Sequence, residues 1–347
     1  MKTEFPNNNI DGLEPYFITI PTSLAGSRID AALSEIIPEL SRSVITNWLK
    51  AGAILIDGKA PKPKDRILGL EKVFISPILS EDKRAFAPEA IDLEVVYSDE
   101  HIIVINKPAG LIVHPGNGNW SGTLLNGLLH HFPELKHIPR AGIVHRLDKD
   151  TSGLMVVART TLAQLRLVEQ LQNRTVSRIY RAIVAGHPPQ NGTINKNVGR
   201  DLHNRTKMAV LAVGGKEAIT HFRTLQYFKE FSYIECKLET GRTHQIRVHM
   251  KSIHHPLAGD QTYGNNKINF PTAIADALIS LNRQALHALK LSFIHPESEQ
   301  VMSFESKLPE DIRLLLHELQ HDYRPDSDSF DDEDYDDGNW EVLYAHE

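Results

Sequence analysis

Two apolar runs, residues 94–97 and 102–105, are separated only by Ser98, Asp99, Glu100 and His101. So short a link cannot carry the crossover that parallel strands need, so the two runs must pair antiparallel. The texture recurs at residues 154–158, 177–185 and 233–238, where Ile234, Cys236 and Leu238 fall on one face of an extended chain. Helical stripes lie between them without regular alternation: Leu124, Leu125, Leu128, Leu129 and Phe132 form one, and Leu162, Leu165, Val168 and Leu171 another. Hairpins mixed with scattered helices predict an α+β domain over residues 89–325, built on a mainly antiparallel mixed sheet rather than regular βαβ winding. There is no internal repeat and no glycine-rich phosphate loop of Rossmann or P-loop spacing.

A second, smaller unit precedes it. Ile29, Ala32, Leu33, Ile36, Ile37 and Leu40 recur at helical spacing. Ser41 is then placed to cap a second helix that buries Val44, Ile45, Trp48 and Leu49 and stops at Gly52. Residues 53–56 followed by Asp57-Gly58 read as a strand entering a tight turn, and residues 73–75 as a later strand. Residues 18–76 carry eight Lys and Arg against six acids. Helix, helix, hairpin, with Arg42 opening the second helix, resembles the S4 RNA-binding domain, although a small helix-hairpin adaptor shares the pattern. Residues 1–17 read as an N-terminal extension, and the proline-bracketed segment 77–88 as a linker.

The net charge of −6 argues against a polyanion partner until it is divided along the chain. Residues 326–347 hold ten acids and no Lys or Arg; the other 34 acids face all 38 Lys and Arg, so residues 1–325 carry +4. The acidic block lacks the apolar surface to order itself and reads as a solvated tail. A mildly basic body permits nucleic acid without requiring it. No apolar run is long enough for a membrane helix, and the first residues lack a secretory or organelle-import pattern. Cys236, the only cysteine, excludes an internal disulfide and a thiolate zinc cage, so a reducing cytoplasm is expected.

The string VHRLDKDTSGLMVVAR (residues 144–159) leads from an apolar approach at 141–144 into a polar loop carrying Asp148 between Arg146 and Lys149. Flanking cations should keep that carboxylate ionised, which suits a nucleophile or base, but a salt-bridged loop explains the same letters. Asp148-Lys149-Asp150-Thr151 also matches the D-x-D-x-T loop of haloacid-dehalogenase-like phosphatases, although His145 and Arg146 interrupt the continuous apolar strand that loop should follow. In GRTHQIRVHMKSIHH (241–255), Ile246, Met250 and Ile253 mark a helix with Thr243 as N-cap and His244, Arg247 and Lys251 on another face. In VSRIYRAIVAG (176–186), alternation puts Arg178, Tyr180, Ala182 and Val184 on one face, and a tyrosine on so apolar a face is more often simply core. Lys107-Pro108 reads as a structural turn with some contact to RNA. His244, His249, His254 and His255 have no carboxylate or thiolate pattern around them, and no metal is expected.

Taken together, RLD with its following TSG, the strand tyrosine Tyr180, LETGRTHQIRVH (238–249) and NKPAGLIVHPG (106–116) resemble the RluA-type pseudouridine synthases. The resemblance spans residues 18–325 and leaves the acidic tail unexplained. It implies a pseudouridine synthase catalytic domain in which Asp148 is the catalytic aspartate, Tyr180 stacks on the target uracil and Arg247 pairs with the aspartate. Arg146 would fill the space left by the extruded nucleotide, with Arg42, Lys107, Arg242 and His244 as further RNA contacts. It also implies an isomerase that needs no cofactor, acts on uridines of 23S large-subunit ribosomal RNA or a pre-ribosomal particle, and works as a monomer without an obligatory protein partner. A noncatalytic RNA-binding protein is the rival reading, favoured by the S4-like unit but not by the joint occurrence of Asp148, Tyr180 and Arg247.

Overall fold

The computed structural model describes residues 15–322 except 39, 78–85, 117–118, 205 and 265–270. Most of the expected N-terminal extension, most of the expected linker and the whole acidic tail lie outside the described residues. Among the described residues no helix is long and apolar enough to cross a membrane.

The N-terminal unit contains β1 (Tyr16–Thr19), α1 (Ile29–Ile36), α2 (Arg42–Lys50), β2 (Ile54–Ile56) and β3 (Lys72–Ile75). The apolar period that predicts α1 runs on to Leu40, yet the helix ends at Ile36, because Ile37 precedes Pro38 and is driven out of helical geometry (φ −123°, ψ 74°). The Ser41 Oγ accepts from Val44 N at 3.3 Å and caps α2, an interaction worth about 1 kcal/mol. Asp57 and Gly58 both take positive φ and form the expected turn. The sheet has the antiparallel order β1-β3-β2, so β1, which the sequence pattern did not mark as a strand, pairs with the central β3. Alternation then divides the side chains. Tyr16, Ile18, Ile54, Ile56, Val73 and Ile75 face the two helices, while Phe17, Leu55 and Phe74 face the larger body.

That body contains β4 (Glu94–Ser98), β5 (Ile102–Lys107), α3 (Leu124–His131), β6 (Ser152–Ala158), α4 (Thr161–Gln172) and β7 (Ser177–Ala185). It continues through β8 (Asn191–Asn195), β9 (Val198–Arg200), β10 (Met208–Val210), β11 (Ile219–Tyr227), β12 (Phe231–Leu238) and α5 (Gln245–Ser252). The last elements are α6 (Thr272–Leu281), β13 (Leu286–Ile294), β14 (Val301–Glu305) and α7 (Glu310–Asp322). The main sheet runs β4-β5-β6-β13-β7-β12-β11-β8, with β14 joined to β13. Its pairs are antiparallel except β6 with β13, as the hairpin-rich sequence predicts. Both faces are covered, one by the cluster containing Leu124, Leu128 and Ile246 and the other by Ala163, Leu167 and Val168 of α4. That explains why every residue of β6 is buried and its sequence is apolar without alternation. At Gly153 (φ +117°) an added Cβ would lie 2.3 Å from the Ala288 carbonyl oxygen, so the parallel pairing that places the preceding loop requires glycine here.

Candidate active site

The chain reaches Asp148 by a route the sequence pattern does not anticipate. Instead of an apolar strand-like approach, residues 139–142 form a kinked turn in which Arg140, Ala141 and Gly142 all have positive φ. Gly142 packs so close to β6 that a Cβ would fall 1.8 Å from the Ala158 carbonyl oxygen, which forces the bend. Buried His145 then accepts from Val156 N at 3.1 Å, and burial together with Arg178 pushes its imidazole down to about 3, so it is neutral. Beyond Asp148 the loop is tied down at each residue. Lys149 O accepts from Gly110 N at 2.9 Å and Lys107 Nζ at 2.9 Å, Asp150 O from Arg283 Nη1 at 3.0 Å, and Thr151 Oγ1 from Gln284 Nε2 at 3.0 Å.

Lys107 therefore corrects the expectation of an RNA contact. It is 1% exposed and directs its ammonium to the carbonyls of Pro108, Leu111 and Lys149, at 2.7, 2.9 and 2.9 Å. Burial lowers its pKa to about 7 against the opposing pull of Asp148 and Asp150. It is an internal strut.

The first turn of α5 delivers Arg247. His244, not Thr243, precedes the helix, in a left-handed conformation (φ 56°) and without a side-chain cap bond. Gln245 ties the turn instead: its Oε1 accepts from Arg242 N at 2.9 Å and Thr240 Oγ1 at 2.8 Å. Ile246 and Met250 enter the core as predicted, but residues 245–250 are all buried, so Arg247 lies in the interior rather than on a solvent-facing cationic stripe. Its Nη1 donates to Asp148 Oδ2 at 3.0 Å, while Nε and Nη2 donate to the two oxygens of Asp260 at 2.7 and 2.9 Å. The Tyr263 ring lies 4.9 Å from the guanidinium, and its hydroxyl bonds His244 Nδ1 at 2.8 Å.

Asp148 is thus held on one side only. Oδ1 has His244 Nε2 at 3.9 Å, beyond hydrogen-bond distance. Burial pushes its pKa up, but His244, Arg247 and Arg146 outweigh that and hold it below the ordinary carboxylate value. His244 is itself depressed by burial and the flanking arginines, so at neutral pH the arginines supply the attraction. Arg247, between two carboxylates, stays protonated.

A cavity of about 50 Å³ opens here, lined by Arg146, Asp148, Tyr180, Arg242, His244 and Arg247 among others, so six of the eight candidates meet in one place. Tyr180 is 6% exposed and belongs to the core as well as to the cavity wall, paired across the sheet with Cys236 and Ala288. Arg42 stands apart in the N-terminal unit, paired with Asp30 at 3.0 Å with its side chain 52% exposed. Asp260 and Tyr263 complete the site but do not stand out in the sequence. The only signal is the turn they form, with Asp260 Oδ1 accepting from Thr262 N and Tyr263 N at 2.9 and 3.0 Å. Among the described residues no group of three or more His, Cys, Asp or Glu is arranged to hold a metal ion.

Comparison with known proteins points the same way. The family described as RNA pseudouridylate synthase matches residues 101–252. Ribosomal large subunit pseudouridine synthase D of Neisseria meningitidis serogroup A is 52% identical, covering 95% of this chain and 92% of that protein. The protein of the same name from Escherichia coli K12 is 46% identical, covering 90% and 97%. Among solved structures, human RNA pseudouridylate synthase domain containing 4 shares the fold of the body, with a TM-score of 0.51, 24% identity and coverage of 65% of this chain and 93% of that one.

Proposed function

Because this chain belongs to the ribosomal large subunit pseudouridine synthase family and is an isomerase acting on RNA, we propose that it isomerises particular uridines of 23S ribosomal RNA, with Asp148 as the catalytic carboxylate. The observation that carries this is the asymmetry of Asp148: one oxygen is bound by an arginine that Asp260 immobilises, and the other is unbonded in a cavity walled by Tyr180. The reaction breaks the N1–C1′ bond, turns the base and joins C5 to C1′, with the C5 proton lost and a proton taken up at N1. The uridine must leave its stack first. Tyr180 then offers the detached uracil a face, an interaction of about 1–3 kcal/mol for a stacked base. Arg146, whose Nε is buried without a hydrogen-bond partner among the described residues, is assigned to fill the gap that the extruded nucleotide leaves in the RNA. Asp148 acts either by attack at C1′ or by removing a ribose proton to give a glycal; both need the ionised form that Arg247 favours.

The N-terminal unit is read as an S4-like RNA-binding domain, with Arg42 on its exposed side, joined to a catalytic body that works as a cytoplasmic monomer. The phosphatase reading fares worse, because a guanidinium occupies the place beside Asp148 where that chemistry needs a divalent cation. Pseudouridine mapping of ribosomal RNA from cells lacking this protein tests the proposal. Loss of pseudouridine at a small set of large-subunit positions, restored by the purified protein acting on a large-subunit transcript, is expected. An unchanged map would overturn it.

A further inference from the structure

A second and larger cavity, about 460 Å³, lies beside the first and shares His145, Arg178, Gly241 and Arg242 with it. Its outer wall is the start of β1, Pro15-Tyr16-Phe17, and its inner wall comes from α4, β7 and the loop before α5. The two units are clamped across it. Phe17 packs 5.2 Å from Phe74 and beneath Lys72, whose ammonium lies 4.4 Å from its ring and 2.7 Å from Glu169 of α4. The cavity is therefore a composite that neither unit forms alone.

We propose that this cleft is a second nucleotide subsite, which takes a nucleotide adjacent to the target uridine in the substrate RNA. The inference rests on the pseudouridine synthase reading and extends it. Charge favours a phosphate-bearing ligand: Arg174, Arg178, Lys216 and Arg242 face two carboxylates, Glu217 and Glu239, both of which pair with Arg174. Tyr16 and Phe17, each only partly covered by its packing in the N-terminal unit, line the outer wall opposite this cationic floor, and an aromatic surface beside cations is the combination that holds single-stranded nucleic acid. Arg178 adds an independent sign of a missing ligand. It is 6% exposed, its Nη2 donates to Glu239 O at 3.0 Å, and its Nε has no hydrogen-bond partner among the described residues. It stands in the partition between the two cavities, pressed against Gly241, where an added Cβ would lie 2.7 Å from Nη1. A nucleotide placed here would be continuous along the strand with a uracil in the smaller cavity.

The test uses full-length protein and a stem-loop transcript centred on a uridine it modifies, with each neighbouring nucleotide replaced in turn by an abasic one. For the wild type, one abasic position is expected to lower kcat/KM about tenfold, within the range of a single stacked base. In Tyr16→Ala intact and abasic transcripts should become equivalent to within about twofold, since protein and RNA then lack the same contact, whereas Lys216→Ala, which removes a phosphate contact that the abasic RNA keeps, should lower kcat/KM on both transcripts alike. A wild type indifferent to every neighbouring base, or an abasic penalty that persists in full in Tyr16→Ala, would overturn the subsite. Absence of pseudouridine from all transcripts with wild-type protein would overturn the underlying reading, and the subsite with it.

Discussion

In the N-terminal unit Asp30 Oδ1 accepts from Arg28 Nε at 3.1 Å and Arg42 Nη2 at 3.0 Å, and Oδ2 accepts from Arg28 Nη2 at 2.8 Å. In the body Asp148 Oδ2 accepts from Arg247 Nη1 at 3.0 Å, and among the described residues Oδ1 accepts no hydrogen bond, with His244 Nε2 at 3.9 Å. Both carboxylates are largely buried and both are held below their ordinary pKa, so an ion pair with arginine does not by itself separate a structural acid from a reactive one. The separation lies in what remains. Asp30 is saturated by two half-exposed arginines, whereas Asp148 keeps one oxygen open to a cavity, and its arginine is fixed by Asp260.

The sharpest way to break this contrast is Asp148→Asn. The amide preserves shape, and Arg247 keeps both bonds to Asp260, so the variant should fold normally. With the proposed catalytic carboxylate gone, turnover should fall by roughly 10²–10⁴-fold or more, the scale on which a positioned acid or base contributes. Tritium release from RNA labelled at uridine C5, read beside a thermal melt, separates the two effects. Near-normal release from a folded variant would remove Asp148 from the chemistry.

Asp260→Asn tests the anchor rather than the reactive group. It removes the charge behind two of the three bonds that orient Arg247, and displacing a guanidinium in a tight site costs up to about 10²-fold in rate. Breaking a buried pair also costs about 3–5 kcal/mol of stability, so the assay must run well below the variant's melting temperature. RNA affinity should change much less than turnover. Parallel losses in both would mean that Asp260 supports docking rather than Asp148.

The neighbours of Asp148 and Arg247 carry local patterns, an apolar run after one and a helical period around the other, but the two residues are singled out only by the motifs that resemble the pseudouridine synthases. Asp260 is not singled out. It lies in PLAGDQTYG, where a turn aspartate is ordinary, and its partner is thirteen residues away across a fold no period describes. The same distinction holds for the architecture. The run at 154–158 was legible because all of it is buried, and that at 177–185 because the face of Arg178, Tyr180, Ala182 and Val184 is, whereas β8, β10 and β14 are short, half-exposed strands defined only by what they pair with. Lys107 shows the opposite error: Lys107-Pro108 reads as a structural turn with some contact to RNA, and only the three carbonyls converging on the ammonium reveal an interior role.

Removing residues 1–76 tests whether the two units act together. The body would keep the Asp148 cavity intact, but it would lose Arg42 and the outer wall of the larger cleft and would expose the apolar patch on α4 that Phe17 and Phe74 cover. Affinity for large-subunit RNA should weaken about tenfold at moderate salt, as the loss of one or two phosphate contacts implies, with the difference narrowing at high salt. Equal affinity at low salt would make the N-terminal unit irrelevant to binding.

The smallest effect should come from Asp30→Asn, because its arginines are half solvated and can turn to water. Losing a charge-assisted contact of this kind costs about 1–3 kcal/mol, expressed as earlier melting rather than as a lost chemical step. The pH dependence gives the sharper signature. Burial pushes the Asp30 carboxyl up, but Arg42 and Arg28 outweigh that, so its folded pKa lies below its unfolded value of about 3.9. Its stabilisation is therefore fully present above about pH 4 and is lost as pH falls through the folded pKa. Melting curves of wild type and variant should differ at neutral pH and converge in acid, where the protonated carboxyl comes to resemble the amide. A gap that stays constant below pH 3 would mean that Asp30 contributes by packing and not by charge, and the contrast with Asp148 would then rest on geometry alone.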